Sequence, residues 1–261
     1  MTFEVTPGSV YFVGAGPGAP DLMTLRGRAL IEVADLVLFA DSLVDPAHTD
    51  HARSGARIIG TSSLTLEEIV SLMIDAARSG EVVVRLHSGD PTIFGAIHEQ
   101  LAALAGADVP AVVVPGITSA TAAAANLGIE LTVPGIAQTV IFARASGRAS
   151  PVPERESLRG LAAHGATLAL FLSAALIEDA VSDLLAGGYP ADTPAAIASR
   201  VSWPDEQLVR CPLSEVPACM EGLAITRTAL VLVGPAVGAD QAGRSRLYDA
   251  TYSHRYREGT P

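Results

Sequence analysis

The chain contains no lysine, and its 17 basic residues are therefore all arginine, against 28 aspartates and glutamates and a formal net charge of −11. Without lysine, both Schiff-base catalysis and a P-loop phosphate site are excluded. The shortage of positive charge also argues against a nucleic-acid partner, because phosphate binding depends on clustered basic residues. Arginine remains well suited to carboxylates, since its planar fork donates two hydrogen bonds at once. An acidic small-molecule substrate is therefore compatible with this composition.

Cysteines and long apolar runs are scarce too. The two cysteines, Cys211 and Cys219, flank a proline-containing segment without metal-ligand spacing, so we expect free thiols and no disulfide framework. No uninterrupted apolar run is long enough to cross a bilayer, and the stretch MTFEVTPGSV lacks the pattern of a signal peptide. We expect a cytoplasmic protein with no membrane partner.

Familiar catalytic motifs are missing as well. The six histidines are scattered without the spacing of a zinc site or a catalytic triad, and neither G-x-S-x-G nor H-E-x-x-H occurs. We expect no metal site and assign no catalytic residue. Only His87 neighbours a candidate loop, and a hydrogen-bonded histidine at a strand end explains it better than substrate contact. This pattern suits a reaction in which a cofactor carries the reactive group and the protein binds and orients.

What the chain does contain begins at residues 10–27, VYFVGAGPGAPDLMTLRG, which predicts a buried strand, a tight glycine turn and a helix. The spacing of Gly14, Gly16 and Ala19 matches a dinucleotide fingerprint. Prolines at positions 17 and 20 argue against that interpretation, because they have no N–H to donate to a pyrophosphate. The turn could also bind a different ligand, or none at all.

Two further strands end in loops of the same kind. Residues 82–94 predict a strand, a loop from Ser88 to Pro91 and a helix that begins near Ile93, and a strand at 111–114 leads into the loop 115–119. Parallel strands joined by helices place such loops along one edge of a sheet. We therefore predict that the three loops converge on one crevice.

The rest of the chain alternates apolar runs with helical periodicity, which predicts an α/β protein. We divide it into an N-terminal α/β domain at 1–127, a C-terminal α/β domain at 128–237 and a tail at 238–261. The polar loop 145–156 fits either a lid over an anionic substrate or a solvated connection. The sequence also predicts that 207–210 forms half of a hairpin and that 229–234 is a central strand. The remaining predicted strands are 36–40, 57–60, 139–144, 167–172 and 195–198.

Four ordered segments, GAGPGAPDLMTLRG, RLHSGDPTIFG, VPGITSATAAAANLGI and TALVLVG, resemble the tetrapyrrole methylases, which use S-adenosyl-L-methionine (SAM) in corrin and sirohaem synthesis. The resemblance covers nearly the whole chain. It implies two α/β domains, SAM bound in a cleft between them, a tetrapyrrole substrate and a homodimer. Ser88 and Leu172 depart from the residues common in relatives.

The resemblance also implies the site residues. Asp90 is also expected on physical grounds, because a carboxylate accepts hydrogen bonds from ribose hydroxyls and is favourable near a sulfonium. The alternative, capping of the following helix, is compatible with ligand contact. The expected cofactor residues are Pro17, Ser88, Gly89, Asp90, Ile93, Thr118, Ser119, Leu172, Val201 and Ala229. The substrate candidates rest instead on the residues themselves: Asp41 follows a strand at its carboxyl end, and the arginines suited to binding substrate carboxylates are Arg85, Arg144, Arg148 and Arg200. Within the family, the reaction could be any of several methylations of corrin synthesis. An NAD-dependent oxidoreductase and a noncatalytic tetrapyrrole carrier are the rival functions outside it.

Overall fold

The computed structural model describes residues 3–147, 151–239, 245 and 248–260. By its internal contacts the chain forms two compact units. The first contains Met1–Ala122 together with Val201–Pro204, and the second contains Ala123–Arg200 and Asp205–Pro261. The division at residues 127 and 237 stays a prediction, and it differs from these units most clearly at Val201–Pro204, which it assigned to the C-terminal domain.

The first unit is built on a five-stranded parallel sheet in the order β3-β2-β4-β1-β5. The three inner strands, β2, β4 and β1, are buried along their whole length, as expected for a parallel sheet covered on both faces. The predicted parallel arrangement is confirmed. The strands are β1 (Val10–Gly14), β2 (Leu36–Phe39), β3 (Arg57–Gly60), β4 (Val83–His87) and β5 (Ala111–Val114).

Helices pack on both faces of this sheet. On one face Leu30 of the first helix joins a cluster with Tyr11, and on the other face Met73 and Leu104 join a cluster with Phe12. Two of the helices begin with a side-chain cap. Of the two residues that the sequence offers for the first helix, Asp21 and Thr24, it is Thr24 that accepts the amide of Gly27, and Thr65 and Glu68 form the capping box expected at the start of the second. The helices are α1 (Leu25–Val33), α2 (Leu66–Arg78), α3 (His98–Gly106) and α4 (Ser119–Leu127).

The second unit contains a mixed sheet in the order β6-β7-β10-β8-β9, in which β10 is antiparallel to both of its neighbours. Its helices pack on a cluster that includes Leu168, Leu184 and Val216. The central position of β10 and the β8–β9 hairpin are as predicted. The elements are β6 (Val140–Arg144), α5 (Leu158–Ala162), β7 (Thr167–Phe171), α6 (Ile177–Ala186), β8 (Pro194–Ser199), β9 (Gln207–Pro212), α7 (Val216–Gly222) and β10 (Ala229–Val233).

Short 3-10 turns connect several elements, at Pro20–Leu22, Pro46–His51, Glu154–Glu156, Ala174–Leu176, Leu213–Glu215 and Pro235–Gly238. Within the described ranges, every helix is too short or too polar to span a bilayer.

The three glycine loops meet at the carboxyl ends of β4, β1 and β5, as predicted. Gly16 and Gly89 exchange two backbone hydrogen bonds, of 3.2 and 2.7 Å. A Cβ at position 116 would lie 2.0 Å from the carbonyl oxygen of Gly89, and one at position 14 would lie 2.5 Å from Cα of Gly116. Glycine is required there because the three backbones touch.

Arg85 and His87 of β4 are buried polar residues on one face of this sheet. Arg85 donates to the Gln100 side chain and to the carbonyl of Leu38, both at 3.4 Å, and burial lowers its pKa to about 10. His87 stacks on Phe12 with a centroid distance of 5.8 Å. Its Nε2 has no hydrogen-bond partner among the described residues, which corrects the expectation of a hydrogen-bonded histidine.

Burial, and secondarily the charge of Arg85, lowers the pKa of His87 to about 3. The unfolded chain therefore binds a proton at His87 below pH 6.5 that the folded chain does not bind until near pH 3. Stability from this group is complete above pH 6.5 and falls as the pH decreases towards 3. We predict that the free energy of unfolding, measured with urea, falls more steeply from pH 6 to pH 4 in the wild-type protein than in His87→Phe. The two slopes should differ by about 1.4 kcal/mol per pH unit. Equal slopes for both proteins would contradict a neutral, buried His87.

We also predict that Gly116→Ala lowers the free energy of unfolding by about 1–3 kcal/mol, because the added methyl group would press on the backbone of Gly89. The matched control is Gly106→Ala at the end of α3, where a Cβ would meet nothing within 4 Å. It should stabilise the protein by about 0.5–1 kcal/mol. If both substitutions have the same small effect in denaturant titrations, the loops are not in the close contact described.

Candidate functional site

The side chain of Asp90 forms hydrogen bonds with residues of two of the three loops. Its Oδ1 accepts hydrogen bonds from the amide and the hydroxyl of Thr92, at 2.8 and 2.5 Å, and its Oδ2 accepts one from the amide of Gly116 at 3.0 Å. The expectation that Asp90 caps the next helix is wrong, because α3 begins only at His98. The carboxylate instead closes a local turn and holds the loop after β4 against the loop after β5.

The loop after β5 runs directly into α4. Thr118 Oγ1 accepts the amide of Ala120 at 3.3 Å, and Ser119 is the first residue of the helix. A Cβ at position 89 would lie 3.9 Å from Cα of Thr118, so the loops after β4 and β5 lie side by side. Ser88 and Ile93 are half-buried beside them, and the amide of Ile93 donates to the carbonyl of Asp90 at 3.1 Å. Six of the expected cofactor residues are thus gathered in one part of the first unit.

The loop after β1 does not have the geometry of a dinucleotide site. A 3-10 turn at Pro20–Leu22 follows the glycines, and α1 begins only at Leu25, where Thr24 already caps it. No helix N-terminus therefore follows the glycines directly to receive a pyrophosphate, as the fingerprint requires. A dinucleotide site also uses an acidic residue after the next strand to bind the ribose, and Asp41 holds that position. Its carboxylate is instead hydrogen-bonded to the amide and hydroxyl of Ser62, at 2.7 and 2.6 Å, and these bonds lower its pKa.

Pro17 and Val201 are both buried in the first unit. The carbonyl of Pro17 accepts a hydrogen bond from the indole of Trp203 at 3.3 Å, and the amide of Ala19 donates to Ser202 Oγ at 2.9 Å. Sequence reasoning missed this contact and described 202–204 only as a loop. The one available signal was the chain's single tryptophan in a polar stretch, since a large aromatic ring usually finds a partner surface.

The other four expected residues that the structure describes lie along one edge of the sheet in the second unit. Arg144 ends β6, Leu172 follows β7 and Arg200 follows β8, and these three strands run in the same direction. Ala229 begins the antiparallel strand β10 and pairs with Ser199, which brings it to the same edge. The first and second sheets thus each carry a group of expected residues.

Backbone strain accompanies several of these positions. Leu172 has a φ of 52° and Arg200 a φ of 49°, in the left-handed region that side chains other than glycine rarely adopt. Phe94 and Ala96, between the Asp90 turn and α3, have φ values of 52° and 48°. Each such residue costs about 1–3 kcal/mol, and strained residues are concentrated at functional sites. Leu172 is also 65% exposed, which is unusual for a leucine at the end of a buried strand.

The expected substrate arginines differ in their surroundings. Arg200 forms an exposed ion pair with Asp205 at 2.6 Å, and Arg144 donates to the carbonyl of Pro151 at 3.4 Å. Arg85 belongs to β4, and its side chain is buried on one face of the first sheet. Arg148 lies outside the described residues. In the part of the chain that the structure covers, no three histidine, cysteine or acidic residues are grouped to hold a metal ion.

Comparison with known proteins gives consistent results. The family model described as Tetrapyrrole (Corrin/Porphyrin) Methylases matches residues 9–217. The precorrin-4 C(11)-methyltransferase of Pseudomonas aeruginosa is 44% identical over 96% of this chain and 99% of its own length.

Solved structures agree with these relatives. A cobalt precorrin-4 methyltransferase superposes with a TM-score of 0.85 at 43% identity, over 88% of this chain and 96% of its own. The uroporphyrin-III C-methyltransferase of Thermus thermophilus, complexed with S-adenosylhomocysteine, gives a TM-score of 0.73 at 31% identity, over 88% of this chain and 99% of its own. A family match over most of the chain and full-length similarity lead to one conclusion: the chain belongs to the tetrapyrrole (corrin/porphyrin) methylases.

Proposed function

We propose that the protein is a SAM-dependent methyltransferase of cobalamin biosynthesis that methylates C-11 of precorrin-4 to give precorrin-5. The observation that carries this proposal is similarity of more than 40% identity, over nearly the full length of both chains, to enzymes named for that reaction. The relatives include both cobalt-precorrin-4 and precorrin-4 enzymes, so the substrate is precorrin-4 either with or without cobalt. SAM use is supported by the family and by the neighbour that was solved with S-adenosylhomocysteine.

The loops of the first unit have the chemistry needed to hold SAM. The contacts among Gly14, Gly89 and Gly116 hold the loops after β1, β4 and β5 side by side, so a SAM molecule bound at the carboxyl ends of these strands would meet all three loops. The Asp90 carboxylate accepts three hydrogen bonds in the structure, two at Oδ1 and one at Oδ2, and one lone pair of Oδ2 remains for a ribose hydroxyl. Its negative charge also favours a nearby sulfonium.

We assign the same role to Pro17, Ser88, Ile93, Thr118, Ser119 and Val201 of the first unit, and to Leu172 and Ala229 of the second.

When bound, SAM would supply a methyl group from its positively charged sulfur. A bond would form between that methyl carbon and an electron-rich ring carbon of the substrate as the carbon–sulfur bond breaks, and S-adenosylhomocysteine would leave. The protein's part is to orient the reacting groups, because a small misplacement costs a large factor in rate. No covalent bond to the protein is needed, which agrees with the lack of a nucleophilic motif.

Arginines would bind the carboxylates of the tetrapyrrole through two-donor hydrogen bonds. The strained Arg200 and the strand-terminal Arg144 share an edge of the second sheet with Leu172 and Ala229, and this arrangement supports their assignment. Arg200 would exchange its exposed partner Asp205 for a substrate carboxylate, at little cost because exposed ion pairs are weak. Asp41, Arg85 and Arg148 stay predictions, and Arg85 would have to leave its buried position to reach a substrate carboxylate.

Two rival functions have less support. The NAD-dependent oxidoreductase is disfavoured by the delayed start of α1 and by the bonding of Asp41 to Ser62. A noncatalytic tetrapyrrole carrier would bind the substrate without turning over SAM. The homodimer and the cytoplasmic location stay predictions of the sequence and the resemblance.

We predict that the purified protein, incubated with methyl-labelled SAM, transfers one methyl group to C-11 of precorrin-4. The assay should be run on metal-free and cobalt-containing precorrin-4 in parallel, and the product identified by mass and NMR. Turnover of either substrate supports the proposal and shows which pathway the enzyme serves. Binding of the tetrapyrrole without transfer would favour a carrier, and a label at another carbon would assign a different methylation in the same pathway.

We predict that Asp90→Asn weakens binding of S-adenosylhomocysteine about 10- to 100-fold, measured by calorimetry. An amide group cannot accept from Thr92 and Gly116 at both oxygen positions, and the loss of a charged hydrogen bond costs about 1.5–3 kcal/mol. The matched control is Asp108→Asn in the turn before β5, which changes the charge equally at the opposite edge of the sheet. Wild-type affinity in the Asp90 variant would remove this residue from the proposed site.

A further inference from the structure

The segment Val201–Pro204 lies between β8 and β9 in the chain, but by its contacts it belongs to the first unit. Two hydrogen bonds join it to the loop after β1. Ser202 Oγ accepts from the amide of Ala19 at 2.9 Å, and Trp203 Nε1 donates to the carbonyl of Pro17 at 3.3 Å. Both ends of the tripeptide 17–19 are thereby held by residues about 185 positions later in the sequence.

The indole of Trp203 also packs directly on this tripeptide. A Cβ at position 18 would lie 2.2 Å from Cδ1 of Trp203 and 2.6 Å from the carbonyl oxygen of Val201. Only glycine therefore allows the ring to lie against the loop backbone. The loop needs such outside contacts, because Pro17 and Pro20 have no amide hydrogen with which to form bonds of their own.

The segment adopts an unfavourable backbone to reach this position. Ser202 has a φ of 62°, and Arg200 immediately before the segment has a φ of 49°. Non-glycine residues persist in this region only where surrounding contacts hold them there. The hydrogen bond from Ala19 and the packing of Trp203 on Gly18 are contacts of that kind.

We propose that Ser202 and Trp203 are positioning residues, which hold Pro17–Ala19 in the conformation that binds the methyl donor. This inference rests on the proposed function, since it requires that Pro17 and Val201 contact SAM. Ser202 and Trp203 act through these neighbours: the Trp203 bond fixes the carbonyl of Pro17, and the Ser202 bond fixes the far end of the loop. None of the sequence motifs assigns a role to either residue.

The test separates a positioning role from a purely structural one. Ser202→Gly relieves the positive φ but removes the acceptor for Ala19, whereas Ser202→Asn tolerates the same φ and retains an acceptor oxygen. We expect Ser202→Gly to change the melting temperature by less than about 3 °C, because the relief of strain offsets the lost bond. Its affinity for S-adenosylhomocysteine should fall about 3- to 10-fold, and Ser202→Asn should recover most of that loss.

Trp203 provides an independent readout, because it is the chain's only tryptophan and tryptophan fluorescence therefore comes from this segment. In the unliganded protein, Ser202→Gly should increase quenching by acrylamide, and Ser202→Asn should restore the wild-type value. The matched control is Tyr189→Phe, which removes a side-chain donor to the backbone carbonyl of Ala166 in the second unit. It should lower the melting temperature and leave both ligand affinity and quenching unchanged.

The outcomes distinguish the two levels of the proposal. Wild-type protein that fails to bind S-adenosylhomocysteine in calorimetry overturns the proposed function, and the positioning role with it. Wild-type protein that binds, together with a Ser202→Gly variant of equal affinity, overturns only the positioning role, whether or not the quenching of Trp203 has changed. Loss of affinity that Ser202→Asn does not recover also contradicts it, because the acceptor would then be irrelevant.

Discussion

The close approach of three backbones at the carboxyl edge of the first sheet is the constraint on which the rest of the site depends. Gly14, Gly89 and Gly116 end or follow adjacent strands, and any side chain at positions 14 or 116 would collide with a neighbouring backbone. The strand order β4-β1-β5 places these glycines side by side, and the exchange of hydrogen bonds between Gly16 and Gly89 fixes their separation. Asp90 then joins the outer loops through the amide of Gly116.

The same constraint explains why the protein needs so few reactive side chains. In the proposed function, the hydrogen bonds between the loops hold the methyl-donor site in one conformation before the ligand binds, so little entropy is lost on binding. In the proposed reaction the methyl donor carries its own leaving group, so alignment accounts for most of the protein's contribution. His87, the histidine nearest these loops in sequence, is buried and neutral, and it is unsuited to proton transfer at ordinary pH.

Much of the fold could be predicted from the sequence because its signals are local. Thr65 with Glu68 specifies a helix start, the apolar run at 83–87 specifies a buried strand, and three glycine loops after strands predict convergence. The delayed start of α3 was not predictable, because Phe94 and Ala96 adopt positive φ values that their residue types disfavour. The contact of Trp203 with Gly18 was equally hidden, since it joins residues far apart in sequence and no local pattern encodes it. The proposed cofactor residues therefore rest on family resemblance more than on physical chemistry.

The most direct test of the account is a crystal structure of the protein with S-adenosylhomocysteine. We expect the nucleoside to lie against the loops 88–90 and 116–119, with a ribose hydroxyl within hydrogen-bond distance of Asp90. A nucleoside bound away from these loops, or a ribose that makes no contact with Asp90, would contradict the central claim that the meeting of three glycine backbones forms the methyl-donor site.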